Sequence, residues 1–200
     1  MGVSFMKSKK GFSLVEMIVV LAIIGILLAV LVPTWSYFIM RANVRSQNNY
    51  SKVIFNAAQT QATREKFLER ENLNIASDTT KTVSERNKAQ SELFVGASDD
   101  FYIYWDGRRG HLLESDGVTI DDSVTPDTQA KVDSFVASVN KVFSHSQETV
   151  YKIYIKNYKV ISVCSARSTN TENIGSYPEI QEGRSKNKTV LNYDMDSIKH

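Results

Sequence analysis

The sequence predicts an α+β chain in which one long N-terminal α-helix packs, through its second half, on a small antiparallel β-sheet. Three observations lead there. An apolar run, MIVVLAIIGILLAVLV, extends to Pro33. Beyond Pro33 no proline or glycine interrupts the chain from Thr34 to Val95, and apolar residues recur there at three- and four-residue steps. Short runs of β-branched and aromatic residues, separated by turn signals, then mark strands near residues 101–113 and 150–163.

Between Phe12 and Val32 every residue is apolar or small except Ser13 and Glu16. At about 1.5 Å per residue, roughly 20 such residues cross a hydrocarbon core of about 30 Å. Lys7, Lys9 and Lys10 precede the run and no basic residue follows until Arg41, which places the N-terminus in the cytoplasm. Glu16 is the anomaly. A lone carboxylate in a membrane helix costs on the order of 3 kcal/mol, which makes it a candidate functional residue; the plainer alternative is a carboxylate resting at the interface. A secretory signal peptide would have a shorter apolar core and a small-residue cleavage site, and Pro33-Thr34-Trp35 is not one. A single-pass anchor fits the run but gives Gly11-Phe12-Ser13-Leu14-Val15-Glu16 no role.

Lys10 to Glu16, together with the apolar run, resembles the N-terminus of type IV prepilins and of the related pseudopilins of type II secretion. The resemblance covers about the first quarter of the chain. It implies a pilin-like fold, cleavage by a membrane prepilin peptidase between Gly11 and Phe12, methylation of the new amine on Phe12, and an assembly role for Glu16. The family's helix proline corresponds to Pro33. Implied partners are other copies and other pilins in a helical filament, the peptidase, the membrane assembly machinery with its cytoplasmic ATPase, and lipid before assembly.

The residues support this chemistry on their own terms. Gly11 has no side chain to obstruct a protease. Cleavage after it removes three lysines and creates a cationic amine one turn from Glu16, at a helix N-terminus where the macrodipole favours negative charge. In lipid an unpaired charge is very unfavourable. A neighbouring subunit's Phe12 amine, offset along a filament, would neutralise Glu16 and set the register.

The expected organisation is a leader over residues 1–11, a transmembrane or filament-core helix over 12–33, its amphipathic continuation over 34–70, and a globular head over 71–200. Removing the leader leaves 21 basic and 22 acidic residues, which is no electrostatic footprint for nucleic acid. The single cysteine, Cys164, excludes an intramolecular disulfide. Many pilins of diderm bacteria close a C-terminal loop with one, so this departure points to a Gram-positive source. His111, His145 and His200 lie far apart in sequence and show no metal-ligand spacing, and no metal or cofactor is expected.

Taken in order, Pro33 removes a backbone hydrogen bond and predicts a helix kink near Ala29–Pro33. Trp35, Tyr37 and Phe38 fall at interfacial depth, suited to anchoring or to filament packing. Arg41 and Arg45 lie one turn apart, as a solvated face or as partners for a neighbour's acids. Tyr50, Val53, Ile54, Ala57, Ala58 and Leu68 form the apolar stripe of a helix reaching about Arg70. Ser77 or Asp78 is a candidate cap for a second helix from Thr82 to about Leu93, with Gly96 to Asp100 ending that insertion.

Phe101–Trp105 is the strongest strand signal, with Asp106-Gly107 as a two-residue hairpin turn and Arg108–Leu113 as the return strand. Further loops fall at Ser115–Gly117 and Asp121-Asp122. Some pseudopilins bind calcium, but Asp121-Asp122-Ser123 lacks alternating ligand spacing, which favours solvated turns. Arg108 and Arg109 are either such solvated turn residues or a phosphate- or DNA-binding pair.

Thr125-Pro126-Asp127 opens another helix, with Val132, Phe135, Val136, Val139 and Val142/Phe143 on its apolar face. Val150–Ile155 and Val160–Val163 form a hairpin around Lys156–Lys159, with Ile153, Ile155, Ile161 and Val163 expected toward the long helix. Cys164 falls on the opposite parity, as an apolar filler or an exposed neutral thiol. The tail from Ala166 is expected to be partly mobile, with an ordered turn at Ile174–Pro178 and a short edge strand at Val190–Tyr193.

Phosphate-loop, G-x-S-x-G and H-E-x-x-H patterns are all missing from the sequence, so it reads as a structural protein rather than an enzyme. The function expected is a subunit of a type IV pilus-like filament, held in the cytoplasmic membrane and then extruded as a pilus. Alternatives are a type II secretion or competence pseudopilin and, from another class, a monomeric membrane-anchored binding or sensor protein.

Overall fold

The computed structural model describes residues 11–96, 100–168, 170–185 and 188–198. Helix α1 runs from Leu14 to Leu68, and the chain divides into two compact units, Met1–Ile39 and Met40–His200. In the first unit the helix continues through Pro33. Proline has no N–H for the carbonyl of Ala29. Around it, the hydroxyls of Thr34 and Ser36 donate to the carbonyls of Val30 and Val32 at 2.9 and 3.3 Å. Trp35 and Phe38 make a tilted ring contact at 6.5 Å.

In the second unit α1 is followed by α2 (Arg70–Ser77), α3 (Val83–Glu92), β1 (Asp100–Trp105), β2 (Gly110–Leu113), α4 (Pro126–Val142), β3 (Thr149–Lys156), β4 (Lys159–Arg167) and β5 (Asn170–Tyr177). The strands form one antiparallel sheet in the order β2-β1-β3-β4-β5. On one face Ile54, Ala58 and Ala62 of α1 and Val132, Phe135 and Val139 of α4 pack against Ile103, Tyr151, Ile153, Ile155, Val160 and Val163. On the other, Tyr102, Tyr154, Cys164 and Ile174 are covered by Val190, Tyr193, Met195 and Ile198. The fold is the α+β, pilin-like arrangement that the sequence predicts.

Several local expectations are corrected. The buried stripe of α1 is partly polar: Gln47, Asn48, Ser51 and Gln61 are buried, whereas Val53 and Leu68 are exposed. The helical content beyond Leu68 includes α2, and the cap of α3 is Thr82 rather than Ser77 or Asp78. Thr82 and Glu85 form a reciprocal capping box, while Asp78 accepts from Thr80 in a turn. Ala97 to Asp99, in the stretch expected to end this insertion, lie outside the described residues. Val142 is exposed, and Phe143 alone closes the end of α4.

The β1–β2 connection spans Asp106 to Arg109 rather than two residues. Asp106 Oδ1 accepts from the backbone N–H groups of Arg108 and Arg109, both at 2.7 Å, and this side-chain cap lengthens the turn. Conversely, the β3–β4 turn is tighter than expected. It consists of Asn157 and Tyr158, both with positive φ (45° and 60°), as a type I′ turn requires.

A register shift follows that turn. Ile155 pairs with Val160, whereas Tyr154 pairs with Ser162, so Ile161 is the extra residue of a β-bulge. One inserted residue reverses parity. Val160 therefore joins the helix-side core, and Ile161 packs on the opposite face.

The described part of the tail holds more regular structure than expected. Asn170–Tyr177 is the edge strand, Ile174 lies inside it, and Val190–Tyr193 forms a turn rather than a strand. Lys152 of β3 holds this turn down. Only 1 % exposed, its ammonium donates to the carbonyls of Gly117, Leu191 and Tyr193 at 2.8, 2.8 and 2.7 Å.

Helix α1 meets β5 at closest range over Gly175. A Cβ there would collide with the backbone of Gln47 and Asn48. Ser51 donates to the carbonyl of Gly175 at 3.0 Å, and Asn48 Oδ1 accepts from Ser176 N–H at 2.9 Å. Gly175→Ala is therefore expected to lower stability by about 1–3 kcal/mol through overpacking, measured by urea unfolding.

Candidate processing and assembly site

Gly11, Phe12 and Ser13 form the extended lead into α1, and Phe12 is 79 % exposed. A Cβ added to Gly11 would meet no atom within 4 Å. Ser13 stands at the head of the helix: its carbonyl accepts from Met17 N–H at 3.2 Å. Glu16, three residues on, reaches back so that Oε2 accepts from the N–H of Ser13 at 3.4 Å. This is one arm of a capping box. At 3.4 Å the bond is long, so the carboxylate is held at the helix mouth while retaining capacity for a stronger, charge-assisted partner.

From Leu14 onward the apolar side chains of the first unit are exposed, with Leu14, Leu21, Ile26 and Val30 each at least two-thirds so. This helix is long and apolar enough to cross a membrane. Of the residues singled out from sequence, Gly11, Phe12 and Glu16 fall together around the first turn of α1, and Pro33 falls within it. Lys7, Lys9 and Lys10 lie outside the described residues, as does His200.

An exposed glycine–phenylalanine bond, a single carboxylate in the first helical turn and an exposed apolar helix thus lie together near the N-terminus. Residues 6–32 match the family described as the prokaryotic N-terminal methylation motif, the prepilin-type signal of type IV pilins and pseudopilins. Neither a curated protein nor a solved structure gives a significant match to the chain.

Sequence reasoning missed a second polar constellation, centred on Glu69 between α1 and α2. Its buried carboxylate accepts from the N–H groups of Phe94, Val95 and Gly96 at 2.6, 3.0 and 2.9 Å. It also accepts from the phenolic O–H of Tyr158. Burial and the neighbouring carboxylate push the Tyr158 phenol up. One side chain thus ties the end of the long helix to the segment before β1 and to the β3–β4 turn. A lone glutamate in a polar stretch carries no local signal of this role.

Other candidates resolve into structural parts. Asp116 accepts from the Thr119 hydroxyl and from the backbone of Val118 and Thr119, which holds its carboxyl below the usual range. Asp121 does the same with Ser123. Among the described residues no three metal-ligating side chains come together. Cys164 is fully buried, and burial pushes its thiol up to about 12. It is the apolar filler of the two sequence alternatives. At pH 8 it is expected to resist a thiol reagent in the folded protein and to react fully on unfolding, scored by intact mass.

Proposed function

We propose that this chain is a structural subunit of a type IV pilus-like filament. A prepilin peptidase cleaves between Gly11 and Phe12, the new Phe12 amine is methylated, and the mature chain waits in the cytoplasmic membrane with its N-terminus inside. Residues 1–11 serve as leader, 12–33 as membrane and filament-core helix with Pro33 as its kink, 34–70 as amphipathic continuation and 71–200 as head. The observation that carries this reading is the coincidence of the prepilin-type signal at residues 6–32 with a helix whose apolar side chains are exposed among the described residues. Transfer of that helix from lipid to a bundle of like helices sacrifices little apolar burial. Glu16 then exchanges its long bond to Ser13 for the Phe12 amine of a neighbouring copy, which fixes the register.

The test is the N-terminus of the native protein, read by mass spectrometry from sheared surface material and from membranes. A chain beginning at methylated Phe12 in the sheared fraction is the expected result. Chains beginning at Met1 or Gly2, confined to membranes, would leave only an anchored monomer.

A further inference from the structure

The two edges of the sheet differ in charge. At one, β5 ends at Tyr177, opposite Val163, so the first residues of β4, Lys159 to Ser162, pair with β3 on one side and have no β5 residue beside them on the other. Gln59 of α1 covers the start of this gap, donating to the carbonyl of Tyr158 at 3.2 Å and accepting from Val160 N–H at 2.8 Å. What remains is a groove of about 510 Å³ with Phe55, Val160, Tyr177 and Pro178 as its apolar lining and Lys156 and Lys159 in its wall. The two lysines stand directly opposite each other in the β3–β4 ladder, an arrangement that is itself unfavourable. Asp100 pairs with Lys156 at 3.1 Å, whereas Lys159 has no partner among the described residues. Lys52, 5.8 Å from the Tyr177 ring, adds a further positive charge.

At the opposite edge, Ile120 bridges to Leu113 and Asp121 N–H donates to the carbonyl of Leu112 at 3.0 Å, so residues 120–122 run along the outer side of β2. From Glu114 to Val124 the chain carries four acids and no base. Arg109 and His111 share that rim, and His111 is engaged by Asp106 at 3.2 Å. Asp122 is exposed and has no partner among the described residues. Three strand spacings, roughly 14 Å, separate β2 from β4, so a chain cannot place this segment in its own groove.

We propose that the groove beside β4 receives the acidic Ile120–Asp122 segment of a second copy of this chain, joining heads edge to edge. Donor and acceptor surfaces lie at different ends of the sheet, so the contact is heterologous. Repeated from copy to copy it builds an open series rather than a closed dimer. The inference rests on the filament reading and adds to it a lateral contact that lies outside the N-terminal helix.

Charge exchange in the full-length protein tests it. Lys159→Glu and Asp122→Lys, each alone, are expected to lower the yield of sheared filaments at least tenfold, and the double variant to restore it. In filaments of a Lys159→Cys/Asp122→Cys variant, oxidation is expected to give a ladder of dimers, trimers and longer species, with buried Cys164 taking no part. Single variants that assemble at wild-type yield would overturn the contact, as would a double variant that fails to recover or a ladder that stops at dimers. If wild-type filaments form in those cases, the filament reading survives. Absence of wild-type filaments removes both.

Discussion

Glu16→Ala is expected to leave the chain in the membrane and to remove it from filaments. Among the described residues the carboxylate's hydrogen-bond partner is the Ser13 amide, at 3.4 Å. Losing it removes an insertion penalty on the order of 3 kcal/mol, so membrane anchoring improves. Filament assembly responds in the opposite sense. On the filament reading, the Phe12 amine of the adjoining copy would then enter an apolar bundle with no counter-charge, and an unpaired buried charge costs about 3–5 kcal/mol at every subunit contact. Repeated along a filament, that penalty reduces incorporation below detection. Immunoblots of sheared and membrane fractions measure both effects together. A Glu16→Ala protein that still enters filaments at wild-type yield would overturn the register role. Reduced membrane content would instead mean that the carboxylate serves insertion.

Glu69→Ala is expected to cost the head about 3–5 kcal/mol, a large share of the 5–15 kcal/mol typical of a whole domain. The substitution strands the N–H groups of Phe94, Val95 and Gly96 together with the Tyr158 hydroxyl. Each buried donor left unmade costs about 1–3 kcal/mol, reduced where water can enter. The site also holds Tyr158 at φ 60°, a conformation that disfavours a bulky side chain. Gly96 leaves no alternative, because a Cβ there would collide with the Tyr158 hydroxyl. Tyr158→Phe removes one donor and is expected to cost about 1–2 kcal/mol. Urea unfolding of a fragment beginning at Met40 compares the variants. A Glu69→Ala loss no greater than that of Tyr158→Phe would show that the three amides find other acceptors.

The parts legible in the sequence are those whose cause is local. Thr125-Pro126 caps α4 as predicted, and Phe101–Trp105 forms the body of β1. The N-terminal signal is legible for the same reason, since Gly11, Phe12 and Glu16 lie within six residues of one another. Much of what failed depended on partners distant in sequence. Asn48 and Gln59 look like solvent-facing residues of a helix, yet they satisfy backbone groups more than 90 positions away. Strand β5 carries too few β-branched or aromatic residues to announce itself. Its Gly175, which reads as a turn, is there because the helix backbone passes over it. Ile161 followed the right alternation until one bulge residue reversed it.

The grip of Lys152 on three carbonyls also bears on where this protein can fold. A C-terminal segment fastened by an ammonium group needs no thiol oxidase, no shuffling of cross-links and no oxidising compartment. The head is therefore expected to reach the same stability with and without a reductant. Its folding is then independent of the redox environment on either side of a membrane.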